Sequence, residues 1–195
     1  VLDVAVTPNR GDCLSHLGLA RDIAALGLGT LKPVKLPAKT GKGETGIAVA
    51  LQTPGCDQFN LVRVAKVRNG PSPAFMRARL EAVGVKPKNL LVDVTNYVML
   101  ALGQPLHAYD AAKLKGNLSG RGAKAGESFT GLADTNLNLA AADVVIADDS
   151  GVVGLGGVLG GAASAVSETT TDILLEAAHF GRHAIAVTGQ THKVF

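Results

Sequence analysis

No apolar run in this sequence reaches the 18 or so residues that a membrane-spanning helix needs, which excludes a transmembrane reading. Blocks of like charge are missing as well, and with 47% hydrophobic and 18% charged residues the chain does not read as a disordered tail. Cysteine is scarce: Cys13 and Cys56 stand far apart, without a C-x-x-C, and 195 residues can bury a core without a disulfide staple. Two reduced thiols in a cytoplasmic protein are expected. The start lacks an initiator Met and a signal-peptide apolar region, so the chain reads as a piece of a longer one. An excess of positive charge is nearly absent too. Nineteen Lys and Arg against 16 Asp and Glu leave only +3. Lys32, Lys35, Lys39 and Lys42 fall among prolines and glycines, as in a solvated linker rather than a phosphate-gripping face.

Familiar catalytic signatures are missing as well. The glycine run Gly154–Gly161 does not have the G-x-G-x-x-G spacing, and no Lys-Ser/Thr follows it as in a P-loop. A glycine-rich wall in tight β-structure accounts for it better, and bare backbone lets a ligand approach closely. There is no G-x-S-x-G. His179 and His183 have helical i,i+4 spacing, but no Cys or carboxylate completes a metal set and Phe180-Gly181-Arg182 breaks a helix; no metal site is expected.

What is present alternates between two textures. Residues 1–6 contain strand formers, and Thr7–Asp12 supplies turn chemistry. Leu14, Leu17, Ile23, Ala24 and Leu26 keep helical spacing, with Asp12 or Ser15 as N-cap and Gly27 as terminator. Residues 32–46 read as a linker. Residues 47–52 and 61–67 alternate as strands do. Ser72-Pro73 predicts a helix with Ser as N-cap and Pro at its first position, burying Phe75, Met76, Leu80 and Val83. Residues 91–102 lack Gly and Pro and predict a helix, with Asp93, Asn96 and Leu100 sharing one face. Beyond His107, short apolar runs separated by Gly, Asp, Asn and Ser turns predict a closed or nearly closed β-structure. Without βαβ alternation a Rossmann sheet is not expected.

Two polar residues stand out. Glu176 interrupts Ile173–Ala178, where strand alternation turns it inward, and a buried carboxylate needs a partner or a ligand. His107 follows Gly103-Gln104-Pro105-Leu106, a turn that aims it off the end of the preceding helix. An edge-strand Glu facing water and a helix-capping His remain the plainer alternatives.

Leu91-Val-Asp-Val-Thr-Asn-Tyr-Val-Met99 and Leu102-Gly-Gln-Pro-Leu-His-Ala-Tyr-Asp110 resemble the central motif of the bacterial phenylalanyl-tRNA synthetase beta subunit family. Thr7–Arg10 with Asp12–Ser15, Pro71–Pro73, Gly156–Gly161 and Leu174–Ala178 look like further motifs of that family in the same order, so the likeness spans nearly the whole chain. It implies an α+β fold: residues 1–36 as the second half of a small helical B1-like domain, 37–46 as linker, and 47–195 as a B3/B4 module. That module is implied to be a closed β-barrel core with flanking helices, cut short at its C-terminal end before a Thr-Asp-Ala-type segment that helps line the pocket.

The implied activity is editing, the hydrolysis of Tyr mistakenly attached to tRNA(Phe). Aminoacylation with ATP and Mg2+ is implied for the alpha subunit, so neither cofactor is expected here. The implied partners are that alpha subunit, in an α2β2 assembly, and tRNA(Phe), with no membrane. By motif, Asn96 and His107 stand near the ester as catalytic residues, while Glu176, Gly160 and Gly157 bind substrate, Glu176 as acceptor for the Tyr hydroxyl and Gly157 as wall. Whether His107 is a base or a positioner stays open. A free-standing editing factor and a non-catalytic tRNA-contact scaffold are the alternatives.

Overall fold

The computed structural model describes residues 2–35 and 41–194, which divide into two compact units, Val1–Gly43 with Gly70–Leu106 and Glu44–Asn69 with His107–Phe195. The units interleave along the chain. The stretch 70–106, read from the sequence with the 47–195 module, therefore groups with the N-terminal residues. Of the linker expected at 37–46, residues 37–40 lie outside the described residues and 41–46 form neither helix nor strand.

The first unit is helical. Residues 2–6 form no strand, Leu2 and Val4 are exposed, and no strand partner for the segment is found among the described residues. Helix α1 (His16–Ala25) starts at Ser15, whose side chain accepts from the Gly18 N–H. Helix α2 (Ala74–Ala82) buries Met76 and Leu80, whereas Phe75 and Val83 stay largely exposed. Ser72 does not cap it. Its hydroxyl donates instead to buried Asp93 at 2.5 Å, and the other Asp93 oxygen accepts from the Lys88 N–H at 2.8 Å. Helix α3 (Leu90–Leu102) is capped by Asn89 and stopped by Gly103, close to the expected bounds. An apolar cavity of about 760 Å³, lined by Leu19, Ile23, Leu80, Val83 and Leu100 among others, lies in this unit.

The second unit is built of strands. They are β1 (Val49–Leu51), β2 (Cys56–Ala65), β3 (His107–Asp110), β4 (Leu118–Gly122), β5 (Ser128–Thr130), β6 (Asn136–Asn138), β7 (Val144–Asp148), β8 (Gly151–Leu155), β9 (Leu159–Gly160) and β10 (Asp172–Phe180). Helix α4 (Arg182–His192) follows. One sheet has the order β1-β4-β7-β8-β9, a second β2-β10-β3, and β5 pairs with β6. Pairing is antiparallel except between β1 and β4.

Alternation along β7 and a bulge in its pairing with β8 fill two cores. Ile146 of β7 and Val153 of β8, the residue at the bulge, meet Tyr109 and Leu174 of the second sheet, while Val145 and Leu155 pack with Phe129 and Leu139. This is why Val144–Ala147 reads as an unbroken apolar run: both faces of β7 are covered.

The fold class is mixed α and β, as expected. A closed barrel is not found among the described residues, because the five-stranded sheet ends in strands of three and two residues, β1 and β9, that do not pair with each other. Strand β2 begins five residues before the expected position, and β4 and α4 carried no signal that the sequence reading used.

Candidate functional site

His107 opens strand β3 instead of capping a helix, and its neighbour across the antiparallel pairing with β10 is Glu176. Directly opposed side chains share one face of a sheet, and residues two apart share it as well. Glu176 therefore points to the same side as Leu174, which lies in the core, and His107 to the same side as Tyr109. Glu176 is only 7% exposed, so the sequence expectation of an inward-facing carboxylate holds.

The carboxylate has a partner that the sequence reading passed over. The Tyr109 hydroxyl donates to Glu176 Oε2, and Tyr109 is itself fully buried. The signal was available: at two residues from His107 on the same strand, Tyr109 stands diagonally across from Glu176. Burial pushes the Glu176 carboxyl up to about 7, and the hydrogen bond from Tyr109 opposes that rise. The Tyr109 phenol is pushed well above its ordinary value by burial and by the neighbouring Glu176 charge.

Burial lowers the His107 imidazole to about 4, so the ring is neutral at pH 7. It packs edge-on against Tyr109, with ring centres 4.4 Å apart. Its Nε2 is buried and has no hydrogen-bond partner among the described residues. A buried polar atom left unpaired is costly, and a water or a bound group can satisfy it.

Gly160 of β9 closes over this ring. A Cβ added there would sit 2.4 Å from His107 Cε1, closer than any side chain tolerates, so only glycine leaves the imidazole in place. Cys56 at the start of β2 adds a thiol pushed up to about 11 by burial and by the Glu176 charge, which keeps it protonated and a poor nucleophile.

His107, Glu176 and Gly160 thus come together with Tyr109. Gly157 lies in the turn between β8 and β9 at φ +69°, and a Cβ there would press on Phe180 and Ile185. Asn96 belongs to the first unit, half-buried on α3. His179 lies in strand β10, one residue before its end, and pairs with Asp57 at 2.6 Å, and His183 lies in α4, so the two do not share a helix. Among the described residues no three His, Cys, Asp or Glu side chains are grouped to hold a metal, and no helix is long and apolar enough to cross a membrane.

The family model described as "B3/4 domain" matches residues 55–195, well over half of the chain. The chain belongs to the B3/4 domain family. Among curated proteins, the phenylalanine–tRNA ligase beta subunit of Brucella abortus is 45% identical over 194 residues, 97% of this chain and 24% of that protein. The beta subunit from Novosphingobium aromaticivorans is 46% identical over 191 residues, again 97% of this chain and 24% of the relative. The chain thus spans about a quarter of the length of the curated relatives it matches. Among solved structures, an N-terminal fragment of the phenylalanyl-tRNA synthetase beta-subunit from Pyrococcus horikoshii aligns at a TM-score of 0.56 and 15% identity, covering 94% of this chain and 58% of that one. That likeness concerns the fold. The B3/4 match contains every residue of the cluster described above.

Proposed function

We propose that this chain carries the editing site of a phenylalanine–tRNA ligase beta subunit, at which Tyr wrongly esterified to tRNA(Phe) is hydrolysed. The observation that carries the reading is a buried carboxylate, Glu176, facing a half-buried imidazole, His107, whose buried Nε2 has no partner among the described residues, across one strand pair. On this reading the parent enzyme attaches Phe to tRNA(Phe) in the cytoplasm with ATP and Mg2+, in an α2β2 assembly whose alpha subunit performs that step. No such cofactor is needed for hydrolysis here. Residues 1–36 are then half of a helical domain and 47–195 the editing module.

The chemistry follows from the difference between the two amino acids. Tyr carries one hydroxyl more than Phe, and an apolar pocket rejects an added hydroxyl by only about a hundredfold. A site that hydrogen-bonds the hydroxyl selects in the opposite sense, because Phe leaves its polar group buried and unpaired. Glu176 is that acceptor. The bare backbone at Gly160 lets the His107 ring lie directly against it.

His107 acts as a positioner. With its pKa pushed down to about 4, it gains little as a proton acceptor near pH 7, where a base works best when its own pKa is close to the ambient pH. Its Nε2 instead holds the attacking water or a terminal ribose hydroxyl. The test is deacylation of Tyr-tRNA(Phe) and Phe-tRNA(Phe) by this chain and by a complete ligase containing it. Faster loss of the Tyr ester is expected; equal loss of both esters, or no loss even in the complete ligase, overturns the proposal.

A further inference from the structure

We propose that Tyr109 is the positioning residue for Glu176: its hydroxyl occupies Oε2 and so presents Oε1 as the acceptor for a ligand hydroxyl. The inference rests on the editing reading above and adds to it the group that fixes the specificity-determining carboxylate.

The geometry leaves Tyr109 little freedom. Its backbone pairs with Leu174 of β10 on one side and bridges to Ala165 on the other. Its ring packs among Leu118, Ile146, Val153 and Leu174, with the edge contact to His107 at 4.4 Å. A phenol held in this way has one place to direct its proton, the carboxylate diagonally across the strand pair. Glu176 Oε1 has no hydrogen-bond partner among the described residues. One oxygen is thereby satisfied from within the fold and one remains for a ligand.

The same bond governs the charge. A donor to a carboxylate favours its ionised form, against the burial that favours protonation. The titratable groups facing Glu176 among the described residues are Tyr109 and His107 on β3 and Cys56 on β2. Around neutral pH His107 stays neutral and Cys56 stays a thiol, so burial sets the raised position of Glu176 and the hydroxyl of Tyr109 is the neighbouring group that pulls it back down.

The experiment is Tyr109→Phe, which removes one oxygen and keeps the ring. Glu176 is followed by carbon NMR of its labelled carboxyl, without any ligand, and the Tyr-to-Phe ester preference is followed in parallel. The Glu176 midpoint should rise by roughly one pH unit or more. The ester preference should fall about tenfold near pH 7 and recover as the pH is raised past the new midpoint. Site-specific 3-fluorotyrosine at position 109, a stronger donor, should move the midpoint down and keeps the question answerable if Tyr109→Phe does not fold. An unchanged midpoint in either variant overturns the proposal. Absence of any ester preference in the unmodified chain overturns the editing reading instead, and leaves the NMR arm to judge the Tyr109–Glu176 bond alone.

Discussion

His107 and Glu176 oppose each other directly in the pairing of β3 with β10, and burial moves their acidities in opposite directions. The folded chain holds the Glu176 proton up to about pH 7, whereas the unfolded chain releases it near 4.5, so this group's stabilising contribution is lost as pH rises through that window. His107 behaves in the reverse sense. It is neutral in the folded chain above about pH 4 and protonated in the unfolded chain below 6.5, so its contribution is lost as pH falls from 6.5 to 4.

Between about pH 4.5 and 6.5 the two contributions nearly cancel. His107→Gln should expose the Glu176 trend, a fall in stability on the order of 3 kcal/mol as pH rises to 7. Glu176→Gln should expose the His107 trend, a rise of similar size. Urea unfolding of both variants across this range measures each slope. Parallel slopes in the two variants would contradict the assignment.

Gly160→Ala should displace the His107 ring, because the new Cβ would lie 2.4 Å from Cε1. A loss of about 1–3 kcal/mol is expected from overpacking, together with a moved imidazole resonance and at least a roughly tenfold loss of deacylation. Gly157→Ala should also lower stability, through its positive φ and the contact with Ile185, while leaving the His107 resonance in place. NMR of the histidine ring and a melting curve separate the two effects.

Asp143 fastens α4 to the start of β7. Its oxygens accept from Thr188 Oγ1 and His192 Nε2, both at 2.7 Å, and from the Ala140 N–H at 2.8 Å. Asp143→Ala leaves buried donors unpaired and should cost about 2–4 kcal/mol. Amide exchange should quicken in α4 before it does in β7 and β10. Uniform acceleration would show that the helix is not a separately anchored element.

Sequence periodicity located α3 closely, because a 13-residue helix carries its own cap and stop at Asn89 and Gly103. It also turned Glu176 inward correctly, since alternation with Leu174 is a local property of β10. It failed at His107, where a short strand is specified by its partner β10 and not by its own four residues. Tyr109 went unremarked for the same reason: a diagonal neighbour across a strand pair exists only once the register is known. Strand β4, rich in glycine, and the opening segment, rich in strand formers, misled in opposite senses. Propensity says which residues suit a strand, and pairing decides which become one. The grouping of residues 70–106 with the N-terminal stretch is likewise a matter of long-range packing that no composition shift announced.

The most direct measurement of the central claim compares ester selectivity in the unmodified chain, Glu176→Ala and His107→Ala, using tRNA(Phe) charged with Tyr or with Phe. If Glu176 accepts the substrate hydroxyl and His107 positions groups at the ester, Glu176→Ala brings the Tyr-to-Phe rate ratio toward one, and His107→Ala slows both esters while largely keeping the ratio. An intact ratio in Glu176→Ala would contradict the account.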